Sequence, residues 1–118
     1  HHRSYSLSQV TFLAEDYADR VRANRGAVAS YNIVLGDSIT SSADCLSNSC
    51  SAAQMADWDK AEWMATLEST LHHPEASVVI NNSTITIIIL HRLAEGREGT
   101  GGDDMLDDLE TYELVTNI

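Results

Sequence analysis

The residues whose types could do chemistry in this chain are two cysteines, five histidines and a cluster of aspartates. Cys45 and Cys50, spaced C-x4-C, are read as a disulfide in preference to free thiols. Zinc is disfavoured because His72 and His73 lie beyond a full predicted helix and no second cysteine pair exists. Such a short bridged loop contributes about 2 kcal/mol by restricting the unfolded chain. It also implies an oxidising compartment: periplasm, cell surface or outside. Asp103, Asp104, Asp107 and Asp108 sit beside glycines, and oxygen-rich loops of this kind can hold calcium. Their spacing is not that of an EF-hand, so a solvated connection is the reading. His72, His73 or His91 could be paired with a serine and an aspartate, but no nucleophile elbow frames any serine. The run GREGTGG lacks the G-K-[ST] ending of a phosphate loop. Two overlapping sequons, Asn81-Asn82-Ser83 and Asn82-Ser83-Thr84, matter only in a eukaryotic secretory route. No catalytic residue, metal or cofactor is therefore expected.

The elements that must position these residues begin with Leu7 to Arg25. Leu7, Val10, Ala14, Tyr17, Ala18 and Val21 recur at three- and four-residue steps and line one helical face. Charged residues fall mostly on the other face. The spacing predicts a helix over 6–25, roughly 30 Å long, with Gly26 as its C-cap. Arg20, Arg22 and Arg25 complement the dipole at its C-terminus. Residues 1–4, His-His-Arg-Ser, read as a tag remnant, and residues 5–118 as one domain.

A connection over 26–50 has no sustained periodicity, although Tyr31, Ile33 and Leu35 alternate as in a short edge strand. Ser51-Ala52-Ala53-Gln54 has the form of a capping box opening a helix over 51–71, which Pro74 prevents from continuing. Trp63, Leu67 and Leu71 recur at four-residue steps and read as core. Trp58 lies off that stripe, between a core role and an exposed one. His72-His73 reads as a helix end. The β-region spans 77–118. Ser77–Ile80 and Thr84–His91 flank the turn Asn81-Asn82-Ser83, and Leu109–Ile118 forms a third strand after a Gly- and acid-rich connection. Ile85, Ile87 and Ile89 share one face, while the other turns apolar toward its end, where a loop or neighbouring subunit would cover it. The expected fold is α+β: a long N-terminal helix packed against a small antiparallel sheet, with a second helix in the connecting region.

The chain has 118 residues and a formal net charge of −11. That balance argues against nucleic acid or an anionic membrane surface as partner, since phosphate binding needs clustered Lys and Arg. No apolar run is long enough to span a bilayer.

Three stretches together resemble a known family. AEDYADRVRANRGAVASYN carries a D-Y-A-D-R-V-R-A-N run at Asp16–Asn24. CLSNSC follows, and then Gln54–Leu67 carries Q-M-A-x-x-D-x-A-E-W-x-x-x-L. The chain resembles PilV-type minor pilins of bacterial type IV pili over nearly all of Leu7–Ile118. The resemblance implies a leader cut by a prepilin peptidase and an apolar helix half anchored in the inner membrane, both upstream of this sequence. It also implies a structural subunit that acts with other minor pilins, with the major pilin and with a tip adhesin. Such a subunit primes pilus assembly and sits at the tip. It lies at the periplasmic face of the inner membrane before assembly and in the extracellular pilus afterwards.

Three functions follow as expectations. The first is the pilus subunit, with Tyr5, Phe12, Arg20, Arg22 and Trp58 as candidate contacts to neighbours. The second is a pseudopilin of a type II secretion machine with the same fold. The third, from another class, is a metal-dependent hydrolase using the acidic loop. Reduction of Cys45–Cys50 is expected to loosen the connection without unfolding the domain.

Overall fold

The computed structural model describes residues 2–41, 43–92 and 109–118. The connection 93–108, with the aspartates weighed for calcium, lies outside the described residues, and so does the side chain of Tyr5. Helix α1 (His2–Arg22) leads into a 3-10 helix (Arg25–Tyr31), then helix α2 (Ala52–Thr70) and strands β1 (His72–Asn81), β2 (Thr84–Arg92) and β3 (Leu109–Asn117). The strands form one antiparallel sheet in the order β1-β2-β3. This is the expected α+β fold. Among the described residues, no helix is long and apolar enough to cross a membrane.

Helix α1 differs at both ends from the span its periodicity predicts. It starts at His2, inside the stretch read as a tag remnant, and it stops at Arg22. The stop has a local cause. The amide of Asn24 reaches back only three residues, to the Val21 carbonyl at 3.0 Å. The Asn24 side chain donates instead to the Tyr31 hydroxyl and the Ala52 carbonyl, at 3.0 and 2.9 Å, and its backbone turns to φ −142°. Gly26 consequently lies within the 3-10 helix and is not a left-handed cap. Among the described residues the left-handed glycine is Gly36, φ +88°, in the third position of a turn closed by Asp37 N to Val34 O at 2.9 Å.

The connection is more ordered than its lack of periodicity suggested. Tyr31 and Ile33 are buried, and Ile33 pairs with Val78 in an isolated bridge, so the alternation yields one bridge and not a strand. Helix α2 opens as its sequence predicts. Gln54 N donates to Ser51 Oγ at 3.2 Å, and Ser51 N donates to Gln54 Oε1 at 2.9 Å, satisfying two orphan donors reciprocally.

The hairpin is tighter and longer than predicted. Asn81 pairs with Thr84, leaving Asn82-Ser83 as a two-residue turn in which Asn82 takes φ 59°. Strand β1 begins at His72, not Ser77, so the two histidines expected to end a helix open a strand. It passes Pro74 through a bulge between His72 and Glu75, with His73 at φ 48°. Proline is tolerated because β1 is an edge strand and needs no donor on that side.

The core lies between α1 and the inner face of the sheet. Val10, Ala14, Tyr17, Ala18 and Val21 of α1 are fully buried, as are Ile85, Ile87 and Ile89 of β2. Leu13 joins them, whereas Leu7, placed by its spacing on the same stripe, is 53% exposed. Helix α2 contributes Ala56, Trp63, Met64 and Leu67. Trp63 Nε1 donates to the Leu13 carbonyl at 2.8 Å, pinning one helix on the other. Tyr112 and Leu114 of β3, and Ile118 just after it, pack half-buried against the same cluster. Each fully buried large side chain contributes about 1.5–3 kcal/mol of transfer free energy.

Candidate assembly surface

An exposed stripe runs along α1 opposite its buried face. Ser8, Phe12, Glu15 and Asp19, spaced four, three and four residues apart, all face water, with Leu7 beside them. Its N-terminal half carries the apolar Leu7 and Phe12 beside Ser8, and its C-terminal half is acidic. Phe12, one of the candidate contacts, is 71% exposed. Trp58 is half-buried on α2 and not the exposed aromatic weighed from sequence.

The two arginines nominated as contacts are engaged within the chain. Arg22 donates from Nε and Nη2 to the Asn117 carbonyl at 3.0 and 2.7 Å, and from Nη2 to Thr116 Oγ1 at 3.1 Å. It therefore ties the end of α1 to the end of β3. Arg20 makes 2.9 Å and 2.8 Å contacts from Nη1 to Asp59 Oδ1 and Glu62 Oε1, and a 3.2 Å contact from Nε to Asp16 Oδ2. Burial acts to lower its pKa, but hydrogen bonding to Glu62 and the charge of Asp16 outweigh this, and the net direction is upward.

Arg20 belongs to a polar cluster that fastens α1, the 3-10 helix and α2 together. The Tyr31 hydroxyl donates to Asp59 Oδ2 at 2.5 Å, and the Tyr17 hydroxyl donates to the Tyr31 carbonyl at 2.7 Å. The Tyr17 ring meets Tyr31 edge-on at 5.8 Å and Trp63 tilted at 4.4 Å. Burial, reinforced by neighbouring Tyr31 and Asp59, pushes the Tyr17 phenol far above its usual range. Burial and the bond to Asp59 do the same for Tyr31. Both phenols are thus held protonated, and both oxygens of Asp59 are occupied, one by Arg20 and one by Tyr31. Such a cluster clamps elements in place.

Beside it an open cleft of about 460 Å³ is lined by Arg20, Asn24, Cys50, Ser51, Met55 and Asp59, among others. The Cys45–Cys50 disulfide forms, with S–S 2.02 Å, and stands immediately before the Ser51 cap. Among the described residues no group of three or more His, Cys, Asp or Glu is placed to hold a metal. His91 is buried at the far end of the inner sheet face, where desolvation lowers its pKa against the opposing pull of nearby Glu110.

Sequence reasoning missed this cluster and gave Asp59 no role. A signal was present. Ala56, Asp59, Trp63 and Leu67 are spaced three, four and four residues apart, so Asp59 sits in register with the buried stripe.

Comparison with known proteins points the same way. The Tt1218-like family, described as type IV pilin Tt1218, matches residues 2–61. No curated protein and no solved structure matches. The matched span contains α1, the 3-10 helix, the disulfide and the first half of α2. It therefore includes Tyr17, Arg20, Asn24, Tyr31 and Asp59, the cluster that joins the two helices. It covers just over half of the 118 residues, and the chain belongs to the Tt1218-like family of type IV pilins, pilus-associated structural proteins of the periplasmic or extracellular space.

Proposed function

We propose that this type IV pilin is a minor pilin of the PilV type, a subunit that docks beside other minor pilins to prime pilus assembly and sits in the tip complex. The observation that carries the reading is Phe12, 71% exposed on a helix whose opposite face is sealed against the sheet. Covering an aromatic of that size with a neighbouring subunit contributes about 1.5–3 kcal/mol. Leu7 extends the same apolar half-stripe. The D-Y-A-D-R-V-R-A-N run and the tryptophan-bearing α2 motif support the PilV assignment. Tyr5 and Trp58 are further contacts, with the major pilin and a tip adhesin as further neighbours. The chain acts without chemistry of its own, held at the inner membrane's periplasmic face before assembly and in the pilus afterwards.

The test is binding to the soluble domains of sibling minor pilins, immobilised one at a time. The wild-type domain is expected to bind at least one at micromolar concentration. Phe12→Ser should weaken that binding at least tenfold while leaving the melting temperature within about 2 °C, because the side chain is outside the core. Failure to bind every sibling domain at micromolar concentration would overturn the reading.

A further inference from the structure

The two edges of the sheet are treated differently. In an antiparallel strand, one residue's N–H and C=O point to the same side, and successive residues alternate. Ile118 N donates to Ser83 O at 2.9 Å, which continues the β2–β3 register and sets the even-numbered residues of β3 toward β2. Leu109, Thr111, Glu113, Val115 and Asn117 therefore turn their backbone groups to the outer edge. Of these, the Asn117 carbonyl is taken by Arg22. Among the described residues nothing else bonds to this edge.

The β1 edge is closed by contrast. Val78 exchanges both backbone bonds with Ile33, at 2.9 and 3.0 Å, and Ile80 N donates to the Asn32 side chain at 2.8 Å. Beyond them, the bulge at His72/Glu75 and Pro74 end its regularity. Natural sheets blunt their edges with lysine, proline, bulges or short strands. Strand β3 has nine residues, no lysine, no proline and no register shift against β2. Its edge carries a row of donors and acceptors repeating about every 6.8 Å, a spacing that only another extended strand can match.

We infer that the outer edge of β3, open among the described residues, is a docking edge, where an extended basic segment of a partner polypeptide joins the sheet as a fourth strand. The charge follows from Glu113, which is exposed on this edge strand, and from a chain of net charge −11. A lysine or arginine opposite Glu113 gains a cross-strand ion pair. A second copy of this chain would bring another −11 and no complementary charge on β3. Val115, 57% exposed, offers a β-branched cross-strand contact next to it. This inference rests on the proposed docking role for the existence of a partner but uses a surface other than Phe12.

The experiment is residue-resolved amide exchange on this domain, alone and with each sibling minor pilin domain as probe. On complex formation the amides of Thr111, Glu113 and Val115 are expected to slow at least tenfold. Those of Tyr112 and Leu114, already bonded to β2, should stay unchanged. Glu113→Pro, which removes a donor β2 does not use, should weaken the complex at least tenfold. Glu113→Lys, which keeps the backbone intact, should weaken it at least threefold at low salt. A complex that forms without slowing those three amides overturns the docking edge and leaves the proposed function standing. Absence of any complex ends both. Concentration-dependent slowing in the isolated domain would assign the edge to a second copy and overturn the basic partner.

Discussion

The Tyr31 hydroxyl and Asp59 meet at 2.5 Å across 28 positions of sequence, and with Arg20 on the other carboxylate oxygen they make Asp59 the point where three helices are tied. Asp59 is 8% exposed, so its loss strands buried partners. Asp59→Ala is expected to lower the free energy of unfolding by about 3 kcal/mol, the cost of breaking a buried, hydrogen-bonded charge pair. Asp59→Asn keeps an acceptor for Tyr31 and should cost less. Urea unfolding at constant m-value measures both, and a loss below about 1 kcal/mol for the alanine variant would show that water replaces the carboxylate.

The same cluster sets the alkaline limit of stability. Tyr17 and Tyr31 have phenols raised above their unfolded value of 10. A raised phenol favours the folded state by staying protonated, so the contribution is intact below pH 10 and is lost as pH climbs from there toward the folded values. Unfolding free energy should be flat from pH 8 to about 10 and then fall. In the Tyr17→Phe/Tyr31→Phe double variant that fall should shrink, although the plateau is lower.

On the acid side the corresponding group is His91. Burial depresses its pKa below 6.5, so in the folded state it resists protonation that the unfolded chain accepts. Stability should be complete above pH 6.5 and decline as pH drops from there through the folded value. His91→Gln, which cannot titrate, should flatten the difference between pH 7 and pH 5 relative to wild type. An unchanged slope would assign the acid loss to carboxylates instead.

Reducing Cys45–Cys50 releases a bridge of sequence separation 5, worth about 2 kcal/mol on chain entropy. The bond stands outside the core, and the Ser51–Gln54 capping box beside it does not depend on it. Thermal unfolding should stay cooperative after reduction, with the midpoint lowered by roughly 8 °C. Loss of the cooperative transition would mean that the connection, through Tyr31 and Ile33, depends on the bridge for its place in the core.

Much of this architecture was legible because it follows from short-range rules. The Ser51–Gln54 box, the 85/87/89 alternation of isoleucines and the Asn81–Thr84 turn region each encode local geometry. The misreadings arose where tertiary contacts override local preference. Asn24 abandons α1 for Tyr31 and Ala52. Arg20 turns from a dipole-complementing surface charge into the partner of a buried acid. Leu7 has the periodicity of the core stripe but is 53% exposed, so its spacing alone did not decide its burial.

The sidedness of β2 gives the sharpest test of how the helix seats on the sheet. Ile87 is fully buried, paired with Val78 on one side and Leu114 on the other, and it faces the α1 core. Ile88, its neighbour, points to the opposite face and is half-buried. Ile87→Ala leaves a cavity that rigid neighbours on three elements cannot fill and should cost about 2–5 kcal/mol. Ile88→Ala removes a side chain that water already reaches and should cost about 1 kcal/mol. The two substitutions delete the same atoms from adjacent residues, so differences in unfolded-state hydration and intrinsic β-propensity nearly cancel. Urea unfolding of the pair therefore isolates which face the helix covers. Equal losses, or a larger loss for Ile88, would require α1 to lie on the other side of the sheet.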